Sequence, residues 1–281
     1  ATSPLLSQIS QLPACQYLIF RIATGGYDTD WGIISLDGEY KARIADTSED
    51  VISFSGNGVH AISWRESRML DLQTGNYEPL PDFALNCEEM SLSPDARNWI
   101  GFCVPDDVSS MEIYDLSGDK PIALTDCAAH MDFCSGPSWS PDGGWITYFQ
   151  SPAGAYQGHE TGMFIMSADC LTHPADCEAS AFGPFNVSFF SWSPDGLSLA
   201  TLWWDGSMNI YDFDQGRLSL SNSFLPDADD CPIAWSPDGE WIAYSFSNSI
   251  YLSSPNGDQT QLLLHEDVDV VVVRWIEIPE R

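Results

Sequence analysis

A short turn motif recurs along this chain, and it limits the folds that the chain can adopt. The tripeptide Ser-Pro-Asp occurs four times, and glycine follows it in three of the copies. Successive prolines are 47, 53 and 43 residues apart, a period that indicates an architecture of repeated supersecondary units. The residue two positions before the proline is leucine in the first copy and tryptophan in the others. The four copies begin at Ser93, Ser140, Ser193 and Ser236.

Each copy has the composition of a tight hairpin turn between two strands. Proline presets φ at the first central position, aspartate suits the second, and glycine adopts the left-handed conformation that closes the turn. Tryptophan and β-branched residues near the turn favour a pleated, half-buried sheet. Each unit is therefore predicted to be an antiparallel meander of about 40–50 residues, the size of a propeller blade. The strands that follow the turns begin at Trp99, Trp145, Leu199 and Trp241.

Two weaker copies bring the number of predicted blades to six. In one of them the turn is Gly56-Asn57-Gly58 in place of Pro-Asp-Gly. The other copy, near the N-terminus, lacks a first strand. The segment 270–276 supplies a matching strand, with Trp275 in the tryptophan position. Pairing of this segment with the first blade would close the ring and remove its open sheet edges.

We therefore expect an all-β fold, a six-bladed β-propeller of four-stranded antiparallel blades. The C-terminal strand joins the N-terminal blade and closes the ring. Residues 15–281 form the single propeller domain, and residues 1–14 form an N-terminal extension. The predicted blades cover residues 15–44 together with 268–278, 47–80, 86–125, 132–180, 184–220 and 228–264.

The repeats resemble those of the TolB-like propeller family, whose hallmark is a Ser-Pro-Asp-Gly hairpin between the first two strands of each blade. The resemblance covers residues 15–278 and is more specific for the fold than for a function. Relatives of this kind include periplasmic protein-binding propellers and the non-catalytic propellers of serine peptidases. The chain contains no Gly-x-Ser-x-Gly nucleophile elbow, so the comparison with peptidases implies no catalysis here.

Charge and composition exclude several classes of partner. The chain has 41 acidic residues against 10 Lys and Arg, which gives a formal net charge of −31. Binding to nucleic acid or to an anionic membrane surface needs clustered basic residues, and this chain has too few. Its hydrophobic content of 44% is that of a chain with a large core. The longest apolar run, residues 270–273, is far too short to span a bilayer.

The cysteine content indicates the compartment. Eight cysteines, few lysines and high acidity suit an oxidising environment. We therefore expect an extracellular, cell-surface or periplasmic protein. The chain starts with Ala1 rather than methionine, as a chain does after secretory cleavage, although a trimmed chain would start in the same way.

Two segments share the pattern Cys-x2-His-x3-Cys, and each has two interpretations. Two thiolates and an imidazole could contribute to a tetrahedral zinc site. An oxidising compartment favours a disulfide between the two cysteines of each segment, and we expect the disulfides. The segments comprise Cys127, His130 and Cys134, and Cys170, His173 and Cys177.

Two further disulfides are expected from positions in the repeats. Cys87 and Cys103 are equidistant from the turn at Asp95, so they should face each other on paired strands. Cys15 and Cys231 remain, and they belong to blades that become neighbours only when the ring closes. A bond between them would fasten the closure and contribute about 2–4 kcal/mol.

Acidic side chains precede or begin the first strand of most predicted blades, and first strands line the channel of a propeller. Converging carboxylates suit a hard cation such as Ca²⁺, and they would also attract a basic protein surface. In a chain this acidic, several blades would carry an acid at this place by chance. The predicted calcium ligands are Asp50, Glu89, Asp132, Asp230 and Asp269.

The N-terminal extension carries apolar residues, so it should pack against a surface. That surface is either the chain's own propeller or a neighbouring subunit, to which the extension would add a strand. The second arrangement would generate a head-to-tail ring or filament. The apolar residues are Leu5, Leu6, Ile9 and Leu12.

These features favour a secreted or cell-surface, non-enzymatic propeller that binds a protein partner or self-associates in an extracellular assembly. One alternative is a Ca²⁺-dependent hydrolase or lactonase with its site at the acidic channel mouth. Another is the extracellular sensor domain of a larger receptor. The sequence identifies no catalytic residue and no cofactor apart from the candidate Ca²⁺.

Overall fold

In the computed structural model, the chain folds into a ring of small antiparallel sheets preceded by one short helix. The described part of the chain contains no helix with the length and apolarity that a bilayer crossing requires. The structure describes residues 4–25, 28–44, 52–55, 59–63, 68–80, 87–103, 112–117, 122–125, 127, 132–152, 162–173, 179–181, 187–203, 205–214, 217–224, 226 and 232–280.

Within these residues, 24 strands form six four-stranded sheets, and each sheet is one blade. Blade 1 contains β1 (Cys15–Gly25), β2 (Asp28–Ser35), β3 (Lys41–Ile44) and the last strand, β24 (Val270–Ile278). Blade 2 contains β4 (Ile52–Phe54), β5 (His60–Ser63), β6 (Arg68–Asp71) and β7 (Tyr77–Pro79). Blade 3 contains β8 (Cys87–Leu92), β9 (Trp99–Cys103), β10 (Glu112–Asp115) and β11 (Ile122–Ala123).

The other three blades follow the same plan. Blade 4 contains β12 (Asp132–Trp139), β13 (Trp145–Pro152), β14 (Gly162–Ser167) and β15 (Ser180–Ala181). Blade 5 contains β16 (Val187–Trp192), β17 (Ser198–Trp203), β18 (Met208–Asp214) and β19 (Arg217–Phe224). Blade 6 contains β20 (Ala234–Trp235), β21 (Ile242–Phe246), β22 (Ser249–Ser253) and β23 (Thr260–His265).

The C-terminal strand closes the ring, as the sequence predicts. β24 runs antiparallel to β1 and pairs Ile276 with Tyr17 and Val270 with Ile22. It thereby becomes the innermost strand of blade 1, the position that β4, β8, β12, β16 and β20 have in the other blades. The pairing covers an edge of β1 that would otherwise be open to association with other chains.

Hydrophobic clusters between neighbouring blades hold the ring together. Ile33 and Leu70 share the cluster between blades 1 and 2, and Leu252 and Val272 share the one between blades 6 and 1. Comparable clusters join the four other neighbouring pairs. Burial of apolar surface contributes about 25 cal/mol per Å². Each blade is therefore stabilised mainly through the faces that it shares with its two neighbours.

The Ser-Pro-Asp turns have the predicted hairpin geometry, and the serine fixes it. In the last copy, Ser236 Oγ donates to Asp238 Oδ1 at 2.6 Å and accepts the Trp241 N–H at 2.9 Å. Gly239 closes this turn with a φ of +77°. In the first copy the same position is Ala96, with a φ of +58°. The left-handed conformation costs a residue with a Cβ about 1–2 kcal/mol, so the first turn is strained.

The N-terminal extension packs on its own propeller as a helix. The helix α1 spans Pro4–Ile9, and its residues Leu5, Leu6 and Ile9 are at most 1% exposed. Together with Leu12 they join the cluster between blades 1 and 2. Of the two arrangements expected for this tail, the structure shows packing on the chain's own propeller, as a helix and not as an added strand. Its apolar side chains are buried within the same chain.

One predicted disulfide is formed between two described residues. Cys127 and Cys134 are bonded, with their Cα atoms 6.1 Å apart, and both are buried. Because the bond consumes both thiols, this segment is not a zinc site. Cys170 is also disulfide-bonded. Its predicted partner Cys177 lies outside the described residues, so that pairing stays a prediction, and His130 lies outside them as well.

The other two predicted disulfides differ in outcome. Cys87 and Cys103 are backbone register partners on β8 and β9, as expected, and the bond between them stays a prediction. The Cys15 thiol is free, so its predicted bond to Cys231, a residue outside the described ranges, is not formed. Side chains alternate along β1: Cys15 packs against the cluster shared with blade 2, whereas Leu18 faces blade 6. The thiol therefore lies on the face away from the last blade.

Candidate binding site at the turn mouth

The channel has two distinct mouths because its inner strands run in the same direction. The strands β4, β8, β12, β16, β20 and β24 surround the axis, and neighbouring members such as β20 and β24 contact each other. The segments that precede these strands lie at one end, the entry mouth. The Ser-Pro-Asp turns follow four of the inner strands and lie at the other end, the turn mouth.

At the turn mouth, tryptophans and prolines alternate around part of the ring. In blades 4, 5 and 6 the tryptophan is two residues before the proline of its turn, so these blades present the two residue types in turn, and blade 1 adds Trp275 with Glu277 at the proline position. They line a cleft of about 130 Å³, here called the mouth cleft. Its lining residues are Pro141, Trp192, Pro194, Trp235, Pro237, Arg274, Trp275 and Glu277.

The indole N–H groups of these tryptophans differ in their hydrogen bonds. Trp192 Nε1 donates to Thr147 Oγ1 at 3.4 Å, and Trp235 Nε1 donates to the Gly239 carbonyl at 3.1 Å. Trp275 Nε1 is buried and has no acceptor among the residues that the structure describes. Since most buried polar groups are hydrogen-bonded, this donor is the exception at the mouth cleft.

Arg274 adds a positive charge to the mouth cleft. It is the one basic residue among the described inner strands. Burial of the guanidinium lowers the pKa of Arg274 to about 10, because desolvation disfavours the charged form. The group therefore stays protonated at neutral pH. Glu277 is exposed and is the carboxylate among the lining residues. The cleft thus combines apolar walls, a cation, an acid at its surface and an unpaired donor.

A second cleft opens at the same mouth between blades 3 and 4, and we call it the blade 3–4 cleft. Its volume is about 320 Å³, and its lining includes Trp139, whose Nε1 is also buried without an acceptor. Three carboxylates line it: Asp95, Asp142 and Asp169. The hydrogen bond from Ser93 Oγ lowers the pKa of Asp95. Each cleft therefore contains a buried tryptophan without an acceptor, and the two clefts differ in charge.

The predicted calcium ligands do not form a cluster in the part of the chain that the structure describes. Asp50 and Asp230 lie outside it. Within it, no three His, Cys, Asp or Glu side chains are grouped so that they could hold a metal ion. A calcium site at the entry mouth therefore stays a prediction.

The backbone positions of the remaining three acids are also dispersed. Measured along the paired strands from the tryptophan position, Asp132 lies about three residues, roughly 10 Å, nearer the entry mouth than Glu89. Asp269 precedes β24 in blade 1, which lies across the ring from Asp132 in blade 4. The residues that the structure does bring together are at the opposite end of the channel.

Sequence reasoning placed the site at the entry mouth and did not single out Arg274 or the turn prolines as ligand contacts. One signal was available, a single arginine in an inner strand that is otherwise apolar and acidic, next to a repeat tryptophan.

His173, from the second Cys-x2-His-x3-Cys segment, hydrogen-bonds to Thr172 Oγ1 through Nδ1 at 2.8 Å.

Solved structures share this architecture at low sequence identity. TolB from Acinetobacter baumannii has a TM-score of 0.65 and 19% identity, over 92% of this chain and 66% of that one. A protein assigned as TolB from Agrobacterium tumefaciens has a TM-score of 0.55 and 16% identity, over 91% of this chain and 100% of that one. An oligogalacturonate lyase in complex with manganese has a TM-score of 0.52 and 12% identity, over 89% and 74%.

These similarities show the fold of the chain, a TolB-like six-bladed β-propeller. The chain spans 66% of the length of the Acinetobacter protein. No protein-family model matches the sequence, and no curated protein matches it.

Proposed function

We propose that this chain is an extracytoplasmic protein-interaction propeller that binds its partner at the turn mouth. The mouth cleft carries the proposal, because three tryptophans, three prolines and an arginine surround one open cleft. Tryptophan and arginine are enriched among the residues that dominate binding energy at protein interfaces. Aromatic-lined grooves also recognise extended, proline-containing segments, whose conformation is largely formed before binding.

Two further features support this proposal. The buried disulfide between Cys127 and Cys134 suits an oxidising compartment, where the chain would meet extracellular, surface or periplasmic partners. The closed ring provides a rigid frame, and a rigid frame limits the entropy that the protein loses on binding. The resemblance to a family that includes periplasmic protein-binding propellers points in the same direction.

Site-specific photo-crosslinking tests the proposal. A photoreactive phenylalanine analogue replaces Glu277, which is exposed at the mouth cleft, and the protein is irradiated among the extracytoplasmic proteins of its own source. The matched control carries the analogue at Leu262, which is 56% exposed on the outermost strand of blade 6. We expect a discrete crosslinked partner from position 277 and not from position 262. The same products from both positions, or none from either, would contradict the proposal.

The hydrolase alternative has its own test. Ca²⁺ that binds the native state must raise the melting temperature, and an enzyme of this kind would hydrolyse simple esters or lactones only with Ca²⁺ present. We expect no such turnover at millimolar Ca²⁺, whereas a raised melting temperature alone would support the predicted calcium site and not an enzyme. Calcium-dependent turnover would favour an enzyme at the entry mouth instead.

A further inference from the structure

Trp275 is the donor at the mouth cleft that the fold leaves without a partner. Its side chain is 2% exposed, and its Nε1 has no acceptor. Trp192 and Trp235 occupy the same position of their repeats, and both donate hydrogen bonds. The repeat therefore does not require an unpaired indole. An acceptor supplied by a bound ligand would satisfy the group.

We propose that the mouth cleft binds the carboxylate of an aspartate or glutamate side chain, carried by an extended, proline-containing segment of the partner. Arg274 and Trp275 Nε1 are the donors to this carboxylate. The inference rests on the proposed function and adds the chemistry by which the partner is recognised.

The charges in the mouth cleft favour a singly charged anion over a neutral acceptor. Arg274 has five N–H donors, so it can bind a ligand in addition to its contacts within the protein. Arg274 is partly buried, and a charge-assisted hydrogen bond from its guanidinium to a carboxylate is stronger than one to a neutral acceptor. Glu277 also lines the cleft, and its charge disfavours a doubly charged ligand such as phosphate more than it disfavours a carboxylate.

The size and walls of the mouth cleft favour a peptide side chain as the source of the carboxylate. A water molecule needs roughly 10–15 Å³ of such space, and the cleft offers about 130 Å³. That volume accommodates a carboxyl group with its methylene groups. The rings of Pro141, Pro194 and Pro237 lie at the cleft and provide apolar contacts for the flanking residues.

Two end-blocked pentapeptides provide the probe, Pro-Pro-Glu-Pro-Pro and Pro-Pro-Gln-Pro-Pro, each acetylated and amidated. Their affinities are measured by calorimetry, and the indole N–H signals of the ¹⁵N-labelled protein are followed by NMR. The Trp275→Phe variant assigns the Trp275 signal, because it removes that N–H and keeps an aromatic ring. We expect the glutamate peptide to bind about tenfold or more tightly than the glutamine peptide, and to shift the Trp275 signal.

Charge variants separate this site from general electrostatics. Arg274→Gln should lower the affinity for the glutamate peptide about tenfold or more and leave the affinity for the glutamine peptide unchanged. Arg274→Lys should have an intermediate effect. Glu277→Gln should raise the affinity for the glutamate peptide a few-fold, because it removes a negative charge from the cleft. Arg97→Gln is the control, since that arginine is highly exposed at the turn of blade 3 and should have no effect. Melting curves check the fold of each variant, and Arg274→Lys keeps the test valid if Arg274→Gln unfolds.

Three results would overturn the inference. Equal affinities for the two peptides would show that no carboxylate is recognised. A glutamate-specific affinity without a shift of the Trp275 signal would place the site elsewhere. An equal shift with sodium acetate at the same concentration would show that the carboxylate alone is bound, without the peptide. If any of these occurs while position 277 still crosslinks a partner, the proposed function stands and only this recognition chemistry fails.

Discussion

The mouth cleft and the blade 3–4 cleft are built from the same repeat and differ in charge, since the first is lined by one arginine and one glutamate and the second by three aspartates. Each is lined by a repeat tryptophan, at most 2% exposed, whose indole N–H has no acceptor, and by a turn proline. The residue before the tryptophan is Arg274 in one case and Ser138 in the other. The larger cleft is lined by three aspartates, whereas the smaller one has the arginine.

This difference separates two roles within one repeat. The tryptophan, the proline and the hairpin serine recur because they form the turn and the contact between blades. The residues beside them vary from blade to blade, and they determine which ligand charge a cleft accepts. We therefore expect an anionic group at the mouth cleft and a neutral or cationic group at the blade 3–4 cleft.

Removal of the two tryptophans tests whether they are equivalent in packing. Trp139→Ala and Trp275→Ala should each lower the free energy of unfolding by about 3–5 kcal/mol, because each empties a buried site. Urea denaturation measures both values. The Phe variants are the controls and should cost much less, since they keep a ring and remove a donor that has no acceptor. A Phe variant as damaging as its Ala counterpart would show that the indole N–H is hydrogen-bonded.

Removal of the disulfide between Cys127 and Cys134 should destabilise the blade 3–4 region and not the mouth cleft. Both cysteines belong to the same hydrophobic cluster as Trp139. The double Ala variant should lose about 2–3 kcal/mol, from the loop entropy of a bond that spans 7 positions. The urea midpoint gives the loss, and unchanged peptide affinity at the mouth cleft would show that the two regions are independent. Loss of that affinity would contradict their separation.

Exchange of the turn residues should shift stability in opposite directions at the two clefts. Ala96→Gly should stabilise the protein by about 1 kcal/mol, and Gly239→Ala should destabilise it by about the same amount, because both positions have positive φ. A Cβ on Gly239 would meet Pro194 Cγ at 3.6 Å, an ordinary contact, so the cost would come from the backbone. Thermal melting measures both shifts, and shifts of the same sign would refute this account.

The smallest expected effect is a pH dependence at the blade 3–4 cleft. The hydrogen bond from Ser93 keeps the pKa of Asp95 below its ordinary value of 3.8. A carboxylate whose pKa is lower in the folded state stabilises the protein above pH 3.8, and this stabilisation is lost as the pH falls further. Asp95→Asn should therefore slightly reduce the fall in the free energy of unfolding between pH 5 and about 2.5. Urea unfolding at each pH measures this fall. Ser93→Ala should have a similar effect, and the double variant should add little to either one.

The sequence predicts the fold well because its strongest signals are periodic. The Ser-Pro-Asp turns set the blade length, and Trp275 identifies β24 as the missing inner strand of blade 1. The sequence does not predict on which face of β1 the side chain of Cys15 lies. Both faces of that strand are buried between blades, so Tyr17 and Leu18 are both buried and no alternation of polar and apolar residues distinguishes the two faces.

The candidate site was less predictable, because it depends on distances between strands that are far apart in sequence. An irregularity between Ser135 and Ser138 changes the register of β12 and therefore the height of Asp132 along the channel. The composition of a strand does not encode the position of a residue along the channel axis. The contribution of Arg274 likewise depends on turns from three other blades, which meet only in the closed ring.

The pairing of β1 with β24 has a consequence for how the molecule is made. About 250 residues separate the two strands, so the first blade stays incomplete until all of those residues have been synthesised. At about 5–20 residues per second, its unpaired edge is exposed for roughly 10–50 s in every new molecule. Contacts this distant in sequence also form slowly during refolding. We therefore expect docking of the last strand, rather than formation of any single blade, to limit how soon a new molecule resists aggregation and proteolysis.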